Sequence, residues 1–186
     1  WIGLVGSEMC IRDSDIALTI DAEEQDRLEL SLHLIENLAK RKDLKDWSGL
    51  GLAIQAYGKR APVVVKFIDE LGANRNGMMM RLVKGAYWDQ EIKIHQIKGA
   101  ADLPVFTSKS FTDLNYLSTA KIISETKNLR PYFATHNAHT IAGIMQLYQG
   151  REDQFEFQRI FGMGDLTYRN AQKVYSDFPL TRVYAP

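Results

Sequence analysis

The sequence predicts an α/β fold, namely a partial (βα)8 barrel of the TIM type in which about six of the eight strand–helix units are present. Short apolar runs alternate with longer stretches that carry a single apolar stripe, which is the serial order of strands and helices in a parallel sheet. Most strand ends recur at intervals close to the ~30 residues of one such unit. No Gly-rich dinucleotide-binding turn follows a strand, which favours a barrel over a doubly wound sheet.

Six segments are predicted to be strands because they are short, partly continuous in apolar residues and often end at a polar residue. They are residues 16–20, 50–55, 78–83, 131–135, 155–160 and 181–184. This pattern is typical of strands that are buried on both faces of a parallel sheet.

Apolar residues spaced three and four apart predict helices between these strands. The stripes lie within residues 24–38, 63–71, 114–123 and 141–147. Gly72 and Gly150 are predicted to end the second and fourth of these helices, and Thr112 is predicted to cap the third. The longer interval between the third and fourth strands is predicted to hold two helical segments around a loop at residues 99–109.

Charge and cysteine content exclude several classes of protein. The 186 residues contain 23 basic and 23 acidic side chains without a basic run, which argues against a nucleic-acid or anionic-lipid surface as the main partner. A single cysteine, Cys10, allows no disulfide within the chain and favours a reducing cytoplasm. No apolar run approaches the ~20 residues that a membrane-spanning helix needs.

The regular pattern covers residues 15–186, which we predict to be one incomplete barrel domain. Residues 1–14 fit the pattern poorly, and we leave them unassigned as a segment foreign to the domain. The chain begins with Trp1 and ends at Pro186 beside a strand exit, so we expect both ends to be cuts in a longer protein.

The segment from Arg81 to Asp89 is the richest candidate for a site. Arg81 and Lys84 lie at a strand exit, and Gly85 and two aromatic residues follow them. Cations beside a helix N-terminus suit a phosphate, a carboxylate or the electron-rich edge of a flavin. An arginine paired with a structural carboxylate explains the same pattern equally well, and the residues alone leave both interpretations open.

A second candidate follows the fourth strand, where His136 and His139 are spaced for a shared metal ion. With Asp21, they would form the site of a metal-dependent barrel hydrolase or isomerase. The segment holds no third ligand, and a helix capped by Thr135 or Asn137 with one hydrogen-bonded histidine explains it better. We therefore predict no metal site.

Carboxylate and amide side chains at other strand ends complete the candidates. Asp21 could serve as a base, as a metal ligand or as the partner of a substrate-binding arginine. Gln55 and Gln158 could hydrogen-bond the rim of a heterocycle or simply close a layer of the barrel interior.

In their order and spacing, these segments resemble the proline dehydrogenase domain of the bifunctional proline utilisation A family. The segments that carry the resemblance are residues 20–24, 53–57, 81–89, 133–139, 156–158 and 182–186. The likeness extends from about Asp15 to Pro186 and rests on six separate strand ends.

The resemblance implies a barrel that binds FAD and oxidises L-proline to Δ1-pyrroline-5-carboxylate, with the electrons passed to a membrane quinone. It also implies a cytoplasmic parent with peripheral membrane association and a fused aldehyde dehydrogenase domain. The family's first strand, eighth strand and late helix with paired arginines are missing from this sequence. We therefore expect the segment by itself to be inactive. An alternative interpretation is that the chain is only a truncated scaffold without catalytic function.

Roles for individual residues follow from the resemblance alone. Catalytic roles fall on Asp21, Arg81 and Tyr184. Cofactor-binding roles fall on Gln55, Arg81, Val83, Gly85, Trp88, Thr107, Lys109, Thr135, His136, Asn137 and Gln158. Substrate-binding roles fall on Asp21, Ala86, Ile160 and Tyr184.

Overall fold

Six parallel strands form one curled sheet, a half-barrel, in a computed structural model that describes residues 11–185. The strands are β1 (Leu18–Ile20), β2 (Leu50–Gln55), β3 (Met78–Val83), β4 (Leu129–Ala134), β5 (Glu156–Ile160) and β6 (Thr181–Tyr184). Each strand pairs with the next one along the chain, so the spatial order is the chain order. The predicted partial barrel is confirmed.

Within residues 11–185, six α-helices connect or follow the strands. They are α1 (Leu28–Ala39), α2 (Ala61–Ala73), α3 (Trp88–Ile97), α4 (Lys109–Glu125), α5 (Ala138–Leu147) and α6 (Asp165–Val174). Short 3-10 turns lie at Gln25–Arg27, Lys42–Leu44 and Glu152–Gln154. The two predicted helical segments between β3 and β4 are confirmed as α3 and α4. In the part of the chain that the structure describes, no helix has the length and apolarity to span a bilayer.

The apolar core lies between the sheet and the helices. The sheet contributes alternate residues of each strand, including Leu52, Leu82 and Phe133, and the helices contribute residues such as Ile68 and Ile144. All five are at most 3% exposed. The other residue of each alternating pair faces the concave side of the sheet, because successive side chains of a strand point to opposite faces.

Three strands have the predicted bounds, and the other three differ by a few residues. β1 begins at Leu18 rather than at residue 16, because the Ile16 N–H bonds to the Ile11 carbonyl in a turn (3.0 Å) instead of joining the sheet. β4 begins earlier, at Leu129, where it pairs with Met78. β5 begins one residue later than predicted, at Glu156.

Two predicted helix signals are wrong. α2 continues through Gly72, where a Cβ would lie 2.8 Å from the Asn128 carbonyl oxygen, so this glycine permits close packing and does not end the helix. Thr112 is not a cap, because its N–H already bonds to the Ser108 carbonyl (3.2 Å) inside α4.

The helix α6 has no predicted counterpart because its apolar stripe is weak. Leu166 and Val174 are more than 70% exposed, and Tyr168 is its buried residue. Residues 1–10 of the unassigned segment, including Cys10, lie outside the described residues. In the remainder of that segment, Ile11 packs against the core and the Arg12 Nη1 donates to the Asp43 carbonyl (2.7 Å).

Candidate functional site

A cleft of about 880 Å³ opens at the carboxyl ends of the strands, on the concave side of the sheet. Parallel strands bring their carboxyl ends to one edge, which is why residues distant in sequence meet there. The predicted site residues that line it are Asp21, Gln55, Arg81, Val83, Gly85, Ala86, Lys109, Thr135, His136, Asn137, Gln158, Ile160 and Tyr184. The structure thus brings together nearly all of the predicted residues.

Arg81 is the centre of the polar contacts in this cleft. Its Nε donates to Gln158 Oε1 (2.7 Å) and its Nη1 donates to Asp21 Oδ1 (2.5 Å). Its guanidinium also lies 5.2 Å from the centre of the Tyr184 ring. The side chain is 19% exposed, so these contacts hold a cation in a fixed place at the cleft surface.

Gln55 connects two loops that border the cleft. Its Nε2 donates to the Glu23 carbonyl (2.7 Å) in the loop after β1, and its Oε1 accepts from the Ala86 N–H (2.9 Å) in the loop after β3. The side chain is 4% exposed. It therefore fixes both loops, and hence the positions of Asp21 and Ala86.

Gly85 has a backbone conformation that only glycine adopts readily. Its φ is +141°, and a Cβ at this position would lie 2.6 Å from the buried ring of Tyr57. The Ala56 and Tyr57 N–H groups bond to the carbonyls of Val83 and Lys84 (both 2.8 Å), which brings the chain after β3 over that ring. Glycine is thus needed where the cleft wall turns back to the core.

Two lysines share one carboxylate at the rim of the cleft. Lys84 and Lys109 both donate to Asp113, the latter at 2.5 Å. Burial acts to raise the pKa of Asp113, but the hydrogen bonds from Lys109 and Lys84 outweigh it and lower the pKa. Since one carboxylate faces two cations, the group retains a net positive charge that suits an anionic ligand.

The loop between β4 and α5 presents several polar groups. Asn137 caps α5, as predicted, through its Oδ1, which accepts from the Thr140 N–H (3.0 Å). The Thr135 Oγ1 accepts from the Asn137 N–H (3.2 Å). His136 Nε2 accepts from the Ile160 N–H (3.3 Å), and burial, followed by the charge of Arg159, lowers the pKa of His136. The ring is therefore neutral at physiological pH.

Two predicted residues lie outside the lining of the cleft. Trp88 is 41% exposed and its Nε1 donates to the Phe106 carbonyl (2.8 Å). Thr107 is exposed in the loop before α4.

Sequence reasoning did not assign roles to Glu156 and Tyr87. Glu156 lies on the concave face of β5, is 4% exposed and binds both Arg182 and Gln158. The strand period of two could have found it, since it shares a face with Gln158. Tyr87 lines the cleft, and the charge of Glu23 together with its hydrogen bond raises the pKa of Tyr87.

Within residues 11–185, no three histidine, cysteine, aspartate or glutamate side chains converge to hold a metal ion. The His136, His139 and Asp21 constellation of the metal-dependent alternative is therefore not assembled in this part of the chain. His136 instead uses its Nε2 for the Ile160 N–H.

Comparison with known proteins identifies relatives of the chain. The chain is 47% identical over 185 residues to the bifunctional protein PutA of Escherichia coli K12 and 48% identical over 181 residues to that of Rhizobium meliloti. In both cases 94% of this chain and 14% of the relative are covered. A crystal structure of a proline utilization A (PutA) variant from Bradyrhizobium japonicum superposes with a TM-score of 0.90 at 46% identity. That match covers 94% of this chain and 18% of the other.

The chain thus spans about one seventh of the length of these curated relatives, since it covers 14% of each. The profile of the family named "Proline dehydrogenase" matches residues 9–186 of this chain. This match, together with the relatives and the parallel half-barrel, shows that the chain belongs to the proline dehydrogenase family.

Proposed function

We propose that this chain supplies most of a site that oxidises L-proline to Δ1-pyrroline-5-carboxylate with FAD as cofactor. The observation that carries the proposal is Arg81, a cation held by Gln158 and Asp21 in a cleft at the carboxyl ends of the strands. Family membership supports proline as the substrate class. We also propose that residues 15–186 are one incomplete barrel domain, and we leave residues 1–14 unassigned.

The residues of the cleft fit FAD in size and in charge. The volume of about 880 Å³ lies within the ~300–1,000 Å³ typical of cofactor sites. Arg81 and the two rim lysines offer positive charge, and Gln55 and Gln158 offer amides at the same edge. When bound, FAD supplies the acceptor for the hydride that leaves proline.

Within this proposal, each part of the cleft has its own task. Arg81, Gln55, Gln158 and Val83 would border the flavin ring, where the guanidinium would favour negative charge. Lys109, Thr135, His136 and Asn137 would hold the phosphates, the ribityl chain and the adenosine from the cleft, and Thr107 would assist from the loop before α4, outside the cleft lining. Gly85 would allow close approach of the backbone, and Trp88, which lies outside the cleft lining, would pack against the adenine.

The substrate part of the cleft combines polar and apolar groups. Ala86 and Ile160 form an apolar wall for the ring of proline, and Tyr184 closes it beside Arg81. Asp21 orients cations that bind the carboxylate of the substrate, and here it already holds Arg81. Asp21, Arg81 and Tyr184 are thus the proposed catalytic residues.

We further propose that the chain acts within a longer cytoplasmic protein that associates peripherally with the membrane. The names of its relatives, bifunctional PutA proteins, support a second enzymatic domain. We infer that this domain is an aldehyde dehydrogenase and that a membrane quinone takes the electrons.

Anaerobic titration of the flavoprotein that contains this chain tests the proposal. L-proline should bleach the flavin absorbance band, whereas L-alanine, which lacks the ring, should not do so at the same concentration. Bound FAD that stays oxidised in L-proline would contradict the proposed function.

A further inference from the structure

Glu156 is a buried carboxylate on the concave face of the sheet that the proposed function does not use. Its side chain is 5% exposed and forms a two-pronged ion pair with Arg182, whose Nε and Nη2 lie 3.0 and 3.1 Å from the two carboxylate oxygens. The Oε1 also accepts from Gln158 Nε2 (2.8 Å). Arg182 is half exposed and does not line the cleft. Glu156 thus lies between an outer cation and an amide at the site.

The contacts of the Gln158 amide allow one orientation. Its NH2 group donates to Glu156 and to the Tyr184 hydroxyl (3.3 Å), and its Oε1 accepts from Arg81 Nε. If the amide were reversed, its oxygen would face the carboxylate and its NH2 would face the Arg81 N–H. An acceptor would then face an acceptor, and a donor would face a donor. Both contacts would be unfavourable because the site is buried, with Gln158 only 2% exposed.

The orientation of the amide controls the orientation of Arg81. An arginine Nε–H needs an acceptor, and Gln158 Oε1 is the acceptor it has. Because Nη1 is taken by Asp21, the guanidinium plane is fixed at two points. Its Nη2 makes no hydrogen bond within residues 11–185 and is left for a ligand in the cleft.

We infer that Glu156 is a positioning residue that sets the Gln158 amide, and through it the guanidinium of Arg81, for the site of the proposed function. The inference concerns the chain's own residues and rests on the proposed function only for its consequence in catalysis. A carboxylate is suited to the task because it accepts hydrogen bonds and cannot donate them. An amide in its place can do either and no longer selects one orientation of Gln158.

Glu156→Gln tests the inference, and Arg182→Gln is the matched control because it removes the other partner of Glu156. The experiment measures the rate at which the Arg81 Nε proton exchanges with solvent, by 15N NMR of the protein that contains this chain. We expect Glu156→Gln to speed this exchange at least about tenfold, as the loss of about one hydrogen bond would. Arg182→Gln should change it less than about twofold. Equal effects of the two variants would mean that Glu156 only balances the charge of Arg182, and would overturn the inference.

A second variant covers the case in which Glu156→Gln does not fold because Arg182 is left without a counter-ion. The double variant Glu156→Gln with Arg182→Gln removes both charges together, which proteins tolerate better than removal of one. It carries the same expectation of about tenfold faster exchange at Arg81 Nε. Unchanged exchange in the double variant would overturn the inference.

Kinetics separates the inference from the proposed function. With FAD bound, Glu156→Gln should lower the rate of flavin reduction by proline about tenfold and change KM less than about twofold, because Arg81 is misplaced rather than lost. A parent protein that proline does not reduce would refute the proposed function, while the NMR result on Arg81 would still stand. Normal exchange at Arg81 in the variant would refute the inference, while proline oxidation would still stand.

Discussion

The two faces of the same sheet differ in composition although they come from the same strands. Toward the helices, β3 presents Met78, Met80 and Leu82, which are at most 1% exposed. Toward the concave side it presents Arg81 and Val83, which border the cleft. One face packs against the helices and stabilises the fold, and the other borders the proposed site.

This difference shows how a strand separates the two tasks. The period of two places each neighbour of a core residue on the concave face, so one substitution can affect the fold while the next affects the cleft. The separation is incomplete where residues of the concave face are themselves buried, as Gln158 and Glu156 are. Substitutions at matched positions can test how far it extends.

The largest effect is expected from Leu82→Ala, compared with Val83→Ala as its neighbour on the other face. Leu82 is fully buried against the helices, so its truncation should lower the free energy of unfolding by about 2–5 kcal/mol. Val83 is only partly buried in the cleft, and we expect about 1 kcal/mol or less for its truncation. Urea unfolding measures both. Equal losses would show that the faces do not differ in their contribution to stability.

Gly85→Ala should have the next largest effect, since this residue joins the cleft wall to the core. Strain at φ +141° and displacement of the Tyr57 ring should together cost about 2–3 kcal/mol in stability. Gly99→Ala is the control, because its φ is +63° and a Cβ there meets no atom within 4 Å. It should cost only about 1 kcal/mol. Thermal unfolding measures both losses of stability. Equal losses for the two variants would show that the contact with Tyr57 does not contribute to the effect of Gly85→Ala.

Arg81→Met should affect function more than stability. The loss of charged hydrogen bonds amounts to about 1.5–3 kcal/mol, and we expect flavin reduction or FAD retention to fall about 10- to 100-fold. The control is Arg130→Met, an exposed arginine near the opposite end of the neighbouring strand β4. Stopped-flow absorbance and FAD content measure the effect. Normal reduction and retention in Arg81→Met would leave Arg81 a purely structural role.

The smallest effect is expected from pH and His136. Burial and Arg159 lower the pKa of this ring in the folded state, so the unfolded state binds the proton more readily. Stability should therefore be unaffected well above the unfolded pKa of about 6.5 and should fall as the pH decreases through and below it. His136→Gln should reduce this pH dependence, and His139→Gln, at an exposed position, should not. Identical pH profiles of unfolding for the two variants would contradict this assignment.

Much of the fold could be predicted because the strand signal is local. β2, β3 and β6 have the predicted bounds. The errors arose where a long-range contact decides the outcome: Asn128 makes a glycine at position 72 necessary inside α2, and register with Met78 extends β4. α6 was missed because it buries little apolar surface.

The candidate site likewise has a part that local sequence signals predict and a part that long-range contacts decide. The resemblance in motifs identified Arg81, Gln55 and Gln158 as candidate site residues. Their positions at the ends of predicted parallel strands indicated that they would share one edge of the sheet. Neither signal revealed Glu156 as a partner of Gln158, because that contact depends on the direction of side chains on the concave face of the sheet. Trp88 and Thr107 match the motif but lie outside the lining of the cleft.

The sequence by itself determined the order of the six strands and of five of the six helices, the neutral charge and the set of polar residues at strand ends, since these follow from local composition and periodicity. Only the tertiary structure decided which of these residues touch. The Asp21–Arg81 pair joins positions 60 residues apart, and the Arg81–Gln158 bond joins positions 77 residues apart. The physical reason is that the curl and register of the sheet set those distances, and both arise from packing of the whole domain rather than from any one segment.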